Sequence, residues 1–339
     1  MDKKKTAGVL AAGAAAAGLA YYEKKIKYRS YSGIASVPRG TAGPGITEGC
    51  LAIEGGSLRG LYSAGVLDAL MINGINMQTV IGVSAGAMDS FNYVSGQIGR
   101  TARFNLSNRY NQRYVGIGAY IENLSPFGFK YAFHAKANVE DFDTQRFYRP
   151  ERGLVAVATN MRTGRPEYFE KGKTDDIFQA IRASSTLPVL SAPVQIDGEK
   201  YMDGGCSVNI PYQWPLDKKF DKIVVVRTRT RAFRKCSGAA ASSGDKKMAQ
   251  MERRLYRRYP AFLQQLQQAD ARYDRECEDL ERLEKEGRIF VIAPSVEPTV
   301  TRLERDLEKL GQLYWLGFHD AEACLDDLKA YLADEEKAD

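Results

Sequence analysis

The pentapeptide Gly82-Val83-Ser84-Ala85-Gly86 has the pattern GxSxG. The apolar pair Val80-Ile81 reads as a short strand before it, and a helix is expected from about Ala85. A serine at a strand-to-helix turn of this kind presents its hydroxyl as a nucleophile. The sharp turn strains the backbone at the serine, and Gly82 and Gly86 carry no side chains to collide with neighbouring elements. The helix N-terminus that follows favours negative charge beside the hydroxyl. A turn whose serine only caps a helix would use the same five residues, so the partners of Ser84 decide between the two readings.

Two stretches offer partners. Glu54-Gly55-Gly56-Ser57-Leu58-Arg59-Gly60 lies between an apolar run, Cys50-Leu51-Ala52-Ile53, and a helical pattern. It is not a P-loop, because Leu61 and Tyr62 stand where Lys and Ser/Thr are needed, and Ser57 breaks GxGxxG. A glycine loop here can turn backbone N–H groups toward an anion. Beside a nucleophilic serine that anion is the tetrahedral oxyanion of acyl transfer, where losing one donor costs about 2.7–4 kcal/mol. A tight strand-to-helix connection is the plainer use of the same glycines. Asp203-Gly204-Gly205 follows Lys200-Tyr201-Met202, so a carboxylate at a strand end could be aimed at Ser84 as its base. Asp-Gly is also a common turn. Between the two, Ala183-Ser184-Ser185-Thr186-Leu187-Pro188 says by itself only that a helix ends before Pro188.

Histidine is scarce. The chain has two, His134 and His319, so a multi-histidine zinc site and an HExxH pair are excluded. A Ser-Asp dyad is the economical arrangement. The order Ser84, Asp203, His319 also fits a triad of the α/β-hydrolase kind, although Gly317-Phe318-His319-Asp320 reads as helix. The five cysteines, Cys50, Cys206, Cys236, Cys277 and Cys324, are odd in number and form no CxxC. They read as free thiols in a reducing compartment. Nothing calls for a metal or a cofactor.

The elements that must position these residues alternate. Strands are expected at 50–53, 80–81, 154–158, 168–169, 222–226 and 288–292, with an amphipathic helix carrying Leu61, Ala64, Leu67, Leu70 and Met71 on one face. Another helix covers about Asp175–Ser184. Alternation argues for a layered α/β fold with a mainly parallel sheet. The 339 residues, 44% hydrophobic and 27% charged, suit a globular chain and exclude a disordered or multispan membrane protein. Residues 101–150 hold 11 Phe and Tyr. They read either as a satellite core or as an apolar cover for a substrate chain. Lys235 to Lys247 reads as a mobile Gly/Ala/Ser-rich connection, and Met248 to Glu286 as one or two charged helices with a solvated face.

Charge is uneven. Residues 1–29 carry seven Lys/Arg and two acids, and residues 235–339 carry 17 Lys/Arg against 22 Asp/Glu, within a net +6. No basic stripe with interleaved aromatics suggests nucleic acid. The uncharged run Thr6–Tyr22 lies between Lys3-Lys4-Lys5 and Lys24, Lys25, Lys27 and Arg29. It reads as an anchor or interfacial helix, as a signal peptide, or as a plain Ala-rich helix. The flanking positive charge favours a cytoplasmic, membrane-associated protein over a secreted one.

Taken in order, the glycine loop Glu54–Gly60, GxSxG at Gly82–Gly86, Ala-Ser-x-x-x-Pro at Ala183–Pro188 and Asp-Gly-Gly at Asp203–Gly205 resemble the patatin-like phospholipase family. The tail is similar to the extension of a bacterial branch. The resemblance implies a three-layer α/β/α fold with a mainly parallel sheet and a mostly helical C-terminal extension. It covers a catalytic domain (50–230) and a charged extension (231–339); before them the residues themselves read as an N-terminal segment (1–22) and a linker (23–49) with Ser, Gly, Pro38 and Pro44 and no period. It implies that Ser84 attacks an ester carbonyl with Asp203 as base, without histidine, metal or cofactor. Backbone N–H groups around Gly55, Gly56 and Ser57 would form the oxyanion hole, with Arg59 and Gly60 completing the loop. Gly82 and Gly86 would shape the nucleophile turn, and Gly204 and Gly205 the acid's turn. Ser57 replaces the family's third glycine, so a positive φ there would be strained. The implied substrate is a membrane lipid or other acyl ester, met at a membrane surface. A triad lipase using His319 and a catalytically silent lipid-binding protein remain as rivals.

Overall fold

The computed structural model describes residues 21–22, 26–134, 139–236 and 243–333. The N-terminal segment expected over 1–22 falls outside them except for Tyr21 and Tyr22, as do residues 237–242 of the Gly/Ala/Ser-rich connection.

In chain order the elements are β1 (Gly40–Thr41), β2 (Thr47–Ile53), α1 (Gly60–Ile72), β3 (Met77–Val83), α2 (Ala85–Val94), β4 (Gln97–Ile98) and α3 (Arg100–Asn108). Short helices α4 (Ile117–Asn123), α5 (Phe129–His134) and α6 (Thr144–Phe147) follow, then β5 (Gly153–Asn160), β6 (Pro166–Glu170), α7 (Ile177–Ser184), β7 (Val194–Ile196), β8 (Glu199–Asp203), α8 (Gln213–Asp217) and β9 (Ile223–Val226). The C-terminal part contributes α9 (Ser243–Leu255), α10 (Pro260–Gln267), α11 (Ala269–Lys285), β10 (Phe290–Ile292), α12 (Leu307–Ala323) and α13 (Leu325–Ala333).

One sheet of eight strands runs in the order β10-β9-β2-β3-β5-β8-β7, with β6 also paired to β5. From β10 to β5 every pairing is parallel. The strands β6, β7 and β8 pair antiparallel. Successive side chains of a strand point to opposite faces, and β2 divides accordingly. Leu51 and Ile53 join one core with α1, α2, α7 and α12, while Cys50 and Ala52 join the other with α8 and α11. Both faces are covered, which is why the parallel strands read as unbroken apolar runs. The result is the expected three-layer α/β/α architecture.

Three expectations need correction. The helix α1 is not amphipathic: every residue from Gly60 to Met71 is buried. Its outer face lies under α12, and the two helices cross where a side chain on Gly65 would overlap the Tyr314 carbonyl and one on Gly317 the Tyr62 carbonyl. Residues 26–49 are more than a linker, since β1 pairs with β4 and β2 begins at Thr47. These pieces are too short to show a period. The charged stretch 248–286 forms three helices, and α11 buries Tyr273, Glu276, Cys277, Leu280 and Leu283 instead of presenting only a solvated face. No helix among the described residues is long and apolar enough to cross a membrane.

Candidate active site

Ser84 stands between β3 and α2 at φ 54° and ψ −120°, a conformation that L-residues rarely adopt. The glycines on either side make the turn sterically feasible. A side chain on Gly82 would overlap the backbone of Gly86, and one on Gly86 would lie 2.5 Å from the Ile53 carbonyl oxygen. The strain is held by a segment whose role the sequence did not reveal. Ser84 N–H donates to Ser184 Oγ at 2.9 Å, and Ser185 Oγ donates to the Ser84 carbonyl at 3.0 Å. Ser184, the last residue of α7, and Ser185 after it thus fix both peptide groups of the turn.

Asp203 reaches Ser84 through strand pairing. β6 runs along one edge of β5, so β3 and β8 share the other edge end to end. β3 pairs through Val83 with Val157, and the next position, Ala158, pairs with Asp203. The turn at Ser84 therefore vacates the slot that Asp203 fills. Ser84 Oγ donates to Asp203 Oδ2 at 2.7 Å, and Gly205 N–H donates to Oδ1 at 2.8 Å. Asp203 N–H donates to the Thr186 carbonyl at 2.9 Å, and Thr159 Oγ1 donates to the Asp203 carbonyl at 2.8 Å. Both side chains are buried, at 8% and 5% exposure. Burial raises the Asp203 carboxyl to about 6, while the hydrogen bonds from Ser84 and Gly205 pull the other way.

His319 does not join them. It lies on α12 with its side chain 66% exposed, and its Nδ1 pairs with Glu322. His134 ends α5, and its side chain falls outside the described residues. All five cysteines are free, and no cluster among the described residues could hold a metal ion.

The glycine loop is fixed from below. Buried Glu54 accepts Thr228 N–H at 2.7 Å, and Thr228 Oγ1 donates to the Gly55 carbonyl at 3.2 Å. The expected donor set changes here. Gly55 N–H is already committed to the Asn209 carbonyl at 3.3 Å, whereas the N–H groups of Gly56 and Ser57 have no acceptor among the described residues. Ser57 takes φ 51°, the strained value anticipated for a residue in a glycine position. Arg59 closes the turn through its own N–H, which donates to the Gly56 carbonyl at 3.1 Å. Burial lowers its guanidinium to about 10, which leaves it cationic at neutral pH. Ser57, Leu58 and Gly60 line the pocket with Ser84.

That pocket has a cavity volume of about 80 Å³. Phe104, Tyr114, Phe127 and Phe129 from the aromatic insertion line it, together with Leu61, Met88 and Phe91. Phe133, Phe142 and Phe147 instead pack with Phe91 and Phe178 as an aromatic cluster on the core. The insertion therefore serves as both a satellite core and an apolar wall.

Two further residues were missed. On α11, Arg272 donates to the Cys206 carbonyl at 2.7 Å and the Gly205 carbonyl at 3.4 Å, holding the Asp-Gly-Gly turn. Glu276 accepts the N–H groups of Asn209, at 3.2 Å, and Ile210, at 3.2 Å. It thereby braces the carbonyl that receives Gly55. No local signal marks either residue within a charged helix. The β7–β8 hairpin was also missed, although Asp197-Gly198, both at positive φ, is the two-residue turn that would have disclosed it.

The patatin-like phospholipase family model matches residues 51–213, and a domain of unknown function (DUF6363) matches residues 259–333. The chain is 27% identical over 183 residues to the uncharacterized protein YjjU of Escherichia coli (strain K12), covering 52% of this chain and 51% of that one. It is 28% identical over 177 residues to lysophospholipase nte1 of Aspergillus terreus, covering 47% of this chain and 10% of that one. It spans about half the length of YjjU and a tenth of nte1. Among solved structures, VipD from Legionella pneumophila is similar with a TM-score of 0.46 and 17% identity, covering 83% of this chain and 67% of that chain.

Proposed function

Because this chain belongs to the patatin-like phospholipase family, we propose that it is a serine acyl hydrolase of lipid esters in which Ser84 and Asp203 form the catalytic dyad. The observation that carries this reading is the 2.7 Å hydrogen bond from Ser84 Oγ to Asp203 Oδ2 at the wall of an apolar pocket. Asp203 takes the hydroxyl proton as Ser84 Oγ adds to the ester carbonyl carbon. The free N–H groups of Gly56 and Ser57 are the donors to the resulting oxyanion, with Gly55, Arg59 and Gly60 holding their loop. Collapse of the tetrahedral species expels the alcohol, which leaves with the proton from Asp203. The acyl-serine then meets water. Asp203 takes one water proton, the hydroxide adds to the acyl carbon, and the acid departs as Ser84 regains its proton.

The aromatic wall suits an acyl chain. The basic flanks of residues 1–22 support a place at a cytoplasmic membrane surface. The test is hydrolysis of a p-nitrophenyl acyl ester and labelling by a fluorophosphonate. Ser84→Ala and Asp203→Asn each abolish turnover while the fold is retained, and a His134/His319 double substitution keeps it. Full activity in Asp203→Asn sinks the dyad. Loss of activity in the histidine variant restores the triad. Absence of labelling in folded wild type favours a silent lipid binder.

A further inference from the structure

The pocket beside Ser84 is apolar over most of its wall, and one residue there does not suit such a wall. Asp89 lies on α2, five residues beyond Ser84, and is 4% exposed. It lines the pocket, and its Oδ2 is buried without a hydrogen-bond partner. Its polar neighbours leave it out. Asn92 Nδ2 donates to Thr101 Oγ1 at 2.8 Å, Arg100 donates to Asn92 Oδ1 at 2.7 Å, and Tyr114 OH donates to Asn105 Oδ1 at 2.6 Å. These bonds close among themselves. The glycine loop also yields to the carboxyl, since a side chain on Gly60 would lie 2.9 Å from Asp89 Oδ2. Buried polar groups in native proteins are nearly all paired, and a carboxyl left unpaired on a residue of a cavity wall can be satisfied when a ligand enters. Burial, reinforced by the negative charge of Asp68, pushes the Asp89 carboxyl well above its ordinary range. A protonated carboxyl offers one O–H donor and one carbonyl acceptor. A hydroxyl matches both, accepting from one and donating to the other; a bare methylene matches neither.

We propose that this pocket takes an acyl chain bearing a hydroxyl group, and that Asp89 recognises that hydroxyl. The inference rests on the reading of Ser84 as the nucleophile. Five residues of helix advance about 7 Å, so the recognised hydroxyl sits along the chain and not on the reacting carbonyl. The apolar remainder of the wall takes the methylenes on either side.

The experiment compares kcat/KM for p-nitrophenyl decanoate with a series of hydroxydecanoate esters in which the hydroxyl moves along the chain. Wild type prefers one positional isomer by about tenfold, the size of one well-made hydrogen bond. Asp89→Leu brings that ratio to about one by raising turnover of the plain ester, and its Tm does not fall, because an orphaned polar group has been removed. Asp89→Asn, which keeps a donor and an acceptor, retains part of the preference. A ratio near one for every isomer in wild type overturns the proposal, and so does a preference that Asp89→Leu leaves intact. A fall in Tm on Asp89→Leu also counts against it, as the mark of a structural partner such as trapped water. Monodecanoylglycerol is compared with its dimethyl ether as a further arm. A preference confined to that pair places the hydroxyl on the leaving alcohol and overturns the acyl assignment. Binding separates this inference from the nucleophile reading: in Ser84→Ala protein, the preferred hydroxydecanoate raises Tm more than decanoate does. That result stands even if no ester is turned over, and equal shifts overturn the proposal.

Discussion

Ser57 occupies a left-handed conformation at φ 51° in the glycine loop, where a glycine would carry no strain. A side chain there costs about 1–2 kcal/mol, and among the described residues the hydroxyl makes no hydrogen bond that would offset it. Ser57→Gly therefore raises stability by about 1 kcal/mol, read as a higher denaturant midpoint with an unchanged slope. Asp203 yields a second prediction at this scale. It must be ionised to accept the Ser84 proton, and burial places its carboxyl at about 6. Below that value the protonated acid cannot act as base. The pH profile of kcat/KM should fall on the acid side of about pH 6 and be level above it. A limb near 4, the ordinary aspartate range, would show that the desolvated pair is not the titrating group. At this scale the sequence was most legible. Ser84, Asp203 and the flanking glycines were readable because each belongs to a short motif whose backbone shape depends on its own residues. Gly55 was misjudged as a donor because its acceptor, the Asn209 carbonyl, lies more than 150 positions away.

Elements were legible where they are long or fully buried. The runs at 50–53, 154–158 and 222–226 disclosed central strands because burial on both faces removes polar residues. The edge strand β7 escaped because it is short and alternates, and β8 beside it was read only as the strand end that carries Asp203. They matter most to the chemistry, since β8 takes the place on β5 that β3 leaves at Ser84. α11 had been read as a charged, solvated helix, yet it grips the turn beyond Asp203. Arg272→Ala removes hydrogen bonds to the Cys206 and Gly205 carbonyls. Its expected effect is a fall in kcat of about tenfold or more, with a smaller change in KM, slower fluorophosphonate labelling and retained secondary structure. An equal loss through KM alone would mean that Arg272 shapes the pocket and not the dyad.

Across the whole molecule, the C-terminal region is part of the core. β10 extends the sheet beyond β9, and α12 covers α1 so completely that α1 has no solvent face. The tail is negative and the remainder positive, but the contact between α1 and α12 is one of glycine against backbone and aromatic rings against apolar neighbours, with a buried hydrogen bond from Tyr314 OH to Asp68 Oδ2 at 2.9 Å. Removing residues 305–339 would uncover the face of α1 that carries Tyr62, Gly65 and Asp68. The expected outcome is an insoluble or molten chain, seen as loss of the cooperative melt, and not a smaller active enzyme. A truncated chain with full activity and a sharp transition would show that α12 is dispensable.

From residue types and their spacing came the proposed nucleophile, its proposed acid, the glycine loop and the alternation of strands and helices. These are encoded locally, in turn geometry and in runs of apolar residues a few positions long. Tertiary packing alone settled which N–H groups remain free, which serines hold the strained turn, what covers α1, and that Asp89 stands unpaired in the pocket wall. Each of these depends on partners brought together from distant parts of the chain, and neither periodicity nor motif spacing records such a pairing.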